Sequence, residues 1–135
     1  MMYSVTLDGL SGFAFVIYGA LTFAILTPPI ILSETVVLWG LAWGSAGRSL
    51  LASLVMNVAS TAAGIVVTLF APLLLLGGGI WGVGLTTWIL SVLVEGGVLR
   101  LMNQGAERRN WLAAIAANLV SYTIAIVLLK VLGVF

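Results

Sequence analysis

The 135 residues are 62% hydrophobic and only 7% charged, with a mean hydropathy of +1.27 and a net charge of +1. A soluble domain covers itself with charged side chains, about a quarter of its residues, and five basic plus four acidic residues cannot do that. No basic run exists to bind nucleic acid, and the lack of Cys and His excludes disulfides, thiolate chemistry and the commonest metal ligands and general bases.

The chain therefore reads as an integral membrane protein, and its length sets the design. A spanning helix takes about 20 residues, so four spans with short loops are predicted, without a separate soluble domain. Met1 to Leu10 carries one charge, Asp8, and none of the basic residues that open a signal peptide; the first apolar stretch is expected to stay in the mature chain. Residues 1–20 are expected to form an N-terminal interfacial segment, within which Ser11 to Ala20 could instead begin a long first span.

Leu21 to Trp43 is the first clear span, interrupted at Thr27-Pro28-Pro29. The two prolines lack amide donors and free the carbonyls of Ala24 and Ile25, which predicts a kink. Gly44 to Arg48 reads as a tight turn and Ser49 to Pro72 as the second span, so residues 21–72 make a first transmembrane hairpin. Gly77-Gly78-Gly79 lacks the Lys-Ser/Thr of a phosphate loop and is expected to break the chain as a turn. Ile80 to Met102 is the third span, Asn103 to Asn110 the most polar loop and Trp111 to Val131 the fourth span; residues 80–135 make the second hairpin. The predicted fold class is all-α, a polytopic helical bundle of four spans.

Arg48 lies in the first hairpin turn, and Arg100, Arg108 and Arg109 lie in or beside the second, while the glycine-rich link is uncharged. Basic residues are retained on the cytoplasmic side, so both turns are expected in the cytoplasm and both termini outside, in a cell (inner) membrane. Lys130 runs against this pattern, and snorkelling to the far interface would accommodate it.

The chain also aligns with itself. A shift of 61 residues places Glu34 on Glu95, Gly44 on Gly105, Arg48 on Arg109, Asn57 on Asn118 and Ser60 on Ser121, without a gap. Apolar matches are cheap in this composition. Polar ones are not: the chain has four carboxylates and four Asn, yet both halves read Glu-x13-Arg-x8-Asn-x2-Ser. This predicts a duplication of one helical hairpin, the two copies running in the same direction as a parallel repeat. In each copy the midpoint between Glu and Asn falls in the turn, so both lie about 11 residues, roughly 16 Å, from it. They are expected near mid-membrane, facing each other across the hairpin, with Ser60 and Ser121 one turn further on the same face.

A charge at the bilayer centre costs about 2.5–3.5 kcal/mol on insertion scales, so these carboxyls call for a reason. They could stay protonated and lock each hairpin by a hydrogen bond to Asn, line a polar path for protons or small cations, or meet a polar group on another subunit. Gly96 and Gly97 beside Glu95, with Ala116 and Ala117 beside Asn118, permit close helix packing. The five Trp read as interfacial anchors or packing residues. Arg100 is expected to snorkel to headgroups or to pair with Glu95, and Arg48, Arg108 and Arg109 to face lipid headgroups or a partner.

Glu34 followed by a basic turn and an Asn-x-x-Ser helix resembles a group of uncharacterised prokaryotic four-helix integral membrane proteins. So does Val94-Glu95 through Leu99-Arg100 followed by Ala117-Asn118-Leu119-Val120-Ser121. The resemblance covers residues 30–127; members of the group carry more basic turns than Gly44 to Arg48. It implies a bacterial or archaeal source and supplies no activity.

No hydrolase, metal or nucleotide motif is present, so the chain reads as a non-enzyme without metal or cofactor. The sequence favours a small non-catalytic subunit or scaffold of a larger membrane complex, in contact with lipid and with other subunits or itself. The alternative is an oligomeric channel or carrier for protons or small cations that uses Glu34, Asn57, Ser60, Glu95, Asn118 and Ser121. A lipid-handling role, suggested by the Pro-kinked helix, is a third reading.

Overall fold

A computed structural model describes the backbone of residues 4–68 and 71–133 and the side chains within 21–67 and 82–133. Four helices follow one another: α1 Ser4–Gly40, α2 Ala46–Thr68, α3 Ala71–Met102 and α4 Glu107–Val131. Each holds a stretch long and apolar enough to cross a membrane: Leu21–Gly40, Ala46–Val67, Gly82–Met102 and Glu107–Val131.

The helix bounds refine the sequence reading. α1 continues through Pro28 and Pro29 without ending. Side-chain hydroxyls tie down the flanking turns: Thr27 Oγ1 donates to Phe23 O at 2.7 Å and Ser33 Oγ to Ile30 O at 2.8 Å. The backbone of 11–20 belongs to this same helix; the side chains of 1–20, and with them the interfacial placement, lie outside the described residues. α2 is described to Thr68 and α3 from Ala71, so the stretch before Ile80 that was expected to break the chain is helical. The expected glycine break shrinks to Gly79, whose φ of 58° and ψ of −159° are open only to a residue without Cβ.

The first turn is closed by a helix end that composition did not flag. Trp43 N donates to Leu38 O and Ala42 N to Trp39 O, both at 2.9 Å, while Ala42 takes a φ of +53°. This is a Schellman arrangement, with Ala in the left-handed position where Gly is usual. Its accompanying apolar contact is present too, since Leu38 and Trp43 are both buried in one cluster. The second turn uses Gly105 at φ +84°.

The helices form a ring in which α1 packs on α2 and α4, and α3 on α2 and α4, while the diagonal pairs stay apart. The ring is inverted relative to a soluble bundle. Val58 and Leu101 are 72% and 76% exposed, whereas Glu34 and Glu95 are 1% and 3% exposed. Large apolar side chains outside and polar ones inside leave the hydrophobic surface to a lipid solvent. Toward the turns the interior is plugged by Leu38, Trp43, Met56 and Leu99, packed on Ala52, Ala113, Ala114 and Ala117.

Candidate functional site

Just beyond that plug the polar side chains converge. Asn57 Nδ2 donates to Glu34 Oε2 at 2.5 Å, and Asn118 Nδ2 donates to Glu95 Oε2 at 2.6 Å. Each amide nitrogen also donates to the carbonyl four residues earlier on its own helix, Ser53 O at 2.9 Å and Ala114 O at 3.0 Å. Both hydrogens of each amide are thereby used, and what remains for a ligand is the acceptor Oδ1.

The serines take a different partner from the one their spacing suggests. Ser60 faces Glu95, and Ser121 faces Glu34, so each carboxyl meets the Asn of its own hairpin and the Ser of the other. The two carboxyls are also near enough to interact across the ring. All six residues line one cleft, and the Glu–Asn bond within each hairpin is kept. Their backbone-directed bonds, Ser60 Oγ to Met56 O at 3.0 Å and Ser121 Oγ to Asn118 O at 3.3 Å, are alternatives that a hydroxyl reaches by rotation.

The helical distance from each turn is shorter than the sequence spacing gives. Glu34 stands six residues before the end of α1 at Gly40, and Glu95 seven before the end of α3 at Met102. That is about 9–10 Å of helix, so the carboxyls lie on the turn side of the middle of their spans. The non-helical turn residues account for the difference, because they add chain without adding rise.

A cleft of roughly 460 Å³ opens above the cluster, with Glu34, Glu95, Asn57 and Asn118 at its floor and Thr22, Val67 and Ala125 at the other end. Twelve residues of α1 separate Thr22 from Glu34, about 18 Å. Four helices of one chain thus line a largely apolar cleft with a polar floor, where the sequence reading invoked an oligomer. Its walls mix apolar side chains with hydroxyls, and the hydroxyl protons are spent locally. Thr27 donates to Phe23 O, Thr87 to Val83 O and Gly84 O, and Ser91 shares a 3.3 Å bond with Tyr122. No Lys or Arg lines it.

Sequence reasoning missed Ser53, which is fully buried and donates to Glu34 Oε2 at 2.8 Å. Its signal was the four-residue spacing to Asn57, which puts both on one face. The self-alignment hid it, because its counterpart is Ala114. It also missed Asn110, whose Oδ1 accepts from Trp43 Nε1 at 2.7 Å and whose Nδ2 donates to Asn103 O at 2.8 Å, tying the two turns together.

The arginines stay at the turn end. Arg48 donates to Met102 O at 2.6 Å and stacks over Trp43, 5.2 Å from the ring centre. Arg109 donates to Ala42 O at 3.2 Å. Each turn's arginine thus reaches a carbonyl at the end of the other hairpin's first helix, where the helix dipole favours a cation. Arg100 pairs with Glu107 at 2.8 Å and not with Glu95. α3 carries Arg100 out past the buried carboxyl to the start of α4, where Glu107 also suits the positive helix end. Arg108 is exposed. Among the described residues no group of three or more potential metal-binding side chains occurs. Compared with family models, curated proteins and solved structures, the chain matches none.

Proposed function

We propose that this chain is a multi-pass inner-membrane protein, built from two tandem copies of one hairpin, that carries protons or small cations through its central cleft. The observation that carries this reading is the floor of the cleft: two buried carboxyls, each held by an amide, at the end of an acceptor-rich cavity without a basic side chain. Ionisable side chains within a membrane interior are costly and recur along ion and proton pathways. The sequence correspondence at an offset of 61 supports the duplication, and the equal starts of α2 at Ala46 and α4 at Glu107 agree with it. The site is built within one chain, so the carrier reading does not depend on a second copy.

The subunit or scaffold reading draws on the near absence of loops and catalytic side chains. The large side chains exposed along the described spans are apolar, as lipid contact requires. The cleft is what tips the choice.

Vesicles reconstituted with the protein are expected to show a proton or monovalent-cation flux that Glu34→Gln with Glu95→Gln abolishes. Absence of flux, or flux indifferent to both substitutions, refutes the carrier reading. Orientation is tested separately: single cysteines replacing Ser45 or Gln104, in a chain that otherwise has none, are expected to label from the cytoplasmic side.

A further inference from the structure

A dehydrated metal ion and a proton use little of this cleft. Hard cations are caged by six to eight oxygens at about 2.3–2.6 Å, whereas roughly 460 Å³ lies above the carboxyls here. That volume falls within the range of about 300–1,000 Å³ typical of small-molecule pockets. The walls above the floor are apolar at Phe23, Leu26, Ile30 and Leu90. Lipophilic walls over an anionic floor are the complement of a particular kind of molecule.

A second observation concerns access. Phe23, Thr27, Asn57 and Thr61 line both the cleft and a groove on the outer face between α1 and α2, where Ile31, Leu54 and Val58 continue it. The same side chains form both walls, so the cleft is one side chain away from the bilayer along this seam. A solute that partitions into lipid would arrive at this seam without crossing the turn-side plug.

We infer that the cleft takes a compact lipophilic organic monocation, a protonated amine or quaternary ammonium. Its charged head rests between Glu34 and Glu95 and its apolar body lies against Phe23, Leu26, Ile30 and Leu90. This rests on the cation-carrier reading and narrows its substrate class. Anions are excluded because the amide donors and most hydroxyl donors are already used within the protein. Protons compete for the same carboxyl oxygens, so organic-cation affinity falls as pH falls. Among the described residues, the groups facing Glu34 are Ser53 and Asn57 of α2, Glu95 of α3 and Ser121 of α4, and Tyr122 is the other titratable side chain in the cleft.

The test is calorimetric titration of the full chain in non-ionic detergent with tetrabutylammonium, at mildly alkaline and mildly acidic pH, with empty micelles as reference. One-to-one saturable binding is expected at alkaline pH, at least tenfold weaker at acidic pH, and absent in Glu34→Gln with Glu95→Gln. A second variant leaves the carboxyls alone. A Cβ added at Gly64, which lines the cleft, meets nothing within 4 Å, so Gly64→Phe adds bulk at the cleft wall without a clash at Cβ. It is expected to weaken tetrabutylammonium binding at least tenfold while the unfolding midpoint in detergent stays at the wild-type value. Carboxyl-dependent proton or sodium flux without tetrabutylammonium binding overturns this inference and leaves the carrier reading standing. Binding that survives the double Gln variant is micelle partition and also overturns it. Loss of both binding and flux removes the two together.

Discussion

Asn118 holds Glu95 with one amide hydrogen and its own helix, at Ala114, with the other. Asn57 does the same for Glu34 and Ser53, but Asn57 is half-buried where Asn118 is 1% exposed. Interhelical hydrogen bonds in membranes average about 0.6 kcal/mol and reach about 1.7. Asn118→Ala strips both bonds at the more deeply buried of the two amides, and it is expected to cost near the top of that range. Asn57→Ala should cost less, because Asn57 is only half-buried and Ser53 still donates to Glu34. Unfolding titrations with a denaturing detergent, run as a double-mutant cycle with Glu95→Gln, read both values. Equal costs at the two sites contradict the asymmetry.

Gly96 and Gly97 are neighbours in sequence with opposite tolerance. A Cβ at Gly96 would run into the Trp111 ring of α4, while one at Gly97 meets nothing within 4 Å. Overpacking typically costs about 1–3 kcal/mol, so Gly96→Ala is expected to destabilise the bundle by about that much. Gly97→Ala should be neutral or slightly stabilising, since Ala is the better helix former by about 1 kcal/mol. Gly96→Ala with Trp111→Leu should recover most of the loss. The unfolding midpoint of the three variants in detergent decides.

Ala42 sits at φ +53° in the Schellman position, where a Cβ is disfavoured by roughly 1–2 kcal/mol. Ala42→Gly relieves that strain but adds freedom to the unfolded chain, for a net gain of about 0.5–1 kcal/mol. Thermal stability in detergent should rise. A drop would mean that the left-handed turn is not the conformation the chain holds.

These sites show which parts of the molecule the sequence displays. Four apolar helices were legible because lipid imposes a minimum length and forbids charges. The Glu34–Asn57 and Glu95–Asn118 contacts were legible because rare polar residues recur at one spacing, and rise per residue fixes their level. Crossing of Ser60 to Glu95 and Ser121 to Glu34 was not, because spacing within a hairpin says nothing of how two hairpins dock. The cleft was hidden for the same reason, as its wall residues are ordinary Thr, Ser, Leu and Ile until four helices are placed round one axis. Helix ends were least legible: Ala42 replaces the glycine that marks such a stop, and of the three glycines at 77–79 only Gly79 leaves the helix.

Arg48 and Arg100 offer a contrast between two exposed arginines. The Arg100–Glu107 pair is 58% exposed on both sides, and such surface bridges contribute about 0–1 kcal/mol. Arg100→Gln is therefore expected to shift stability by a few tenths of a kcal/mol. Arg48 instead combines a 2.6 Å bond to Met102 O, at the end of α3, with stacking over the buried Trp43. A hydrogen bond from a charged donor contributes about 1.5–3 kcal/mol when shielded, and exposed cation–π contact about 0.5–1. Discounted for solvent, Arg48→Gln should cost about 1 kcal/mol or more. Arg109→Gln, with a longer 3.2 Å bond to Ala42 O and no ring beneath it in the described contacts, should fall between the two. Arg48→Lys is informative because it keeps the charge for the membrane-side bias but loses the planar fork. If the arginine bridges the hairpins, Lys recovers little of the stability while cysteine labelling shows the turns on the same side as before. Full recovery by Lys would reduce Arg48 to a positive charge at the interface.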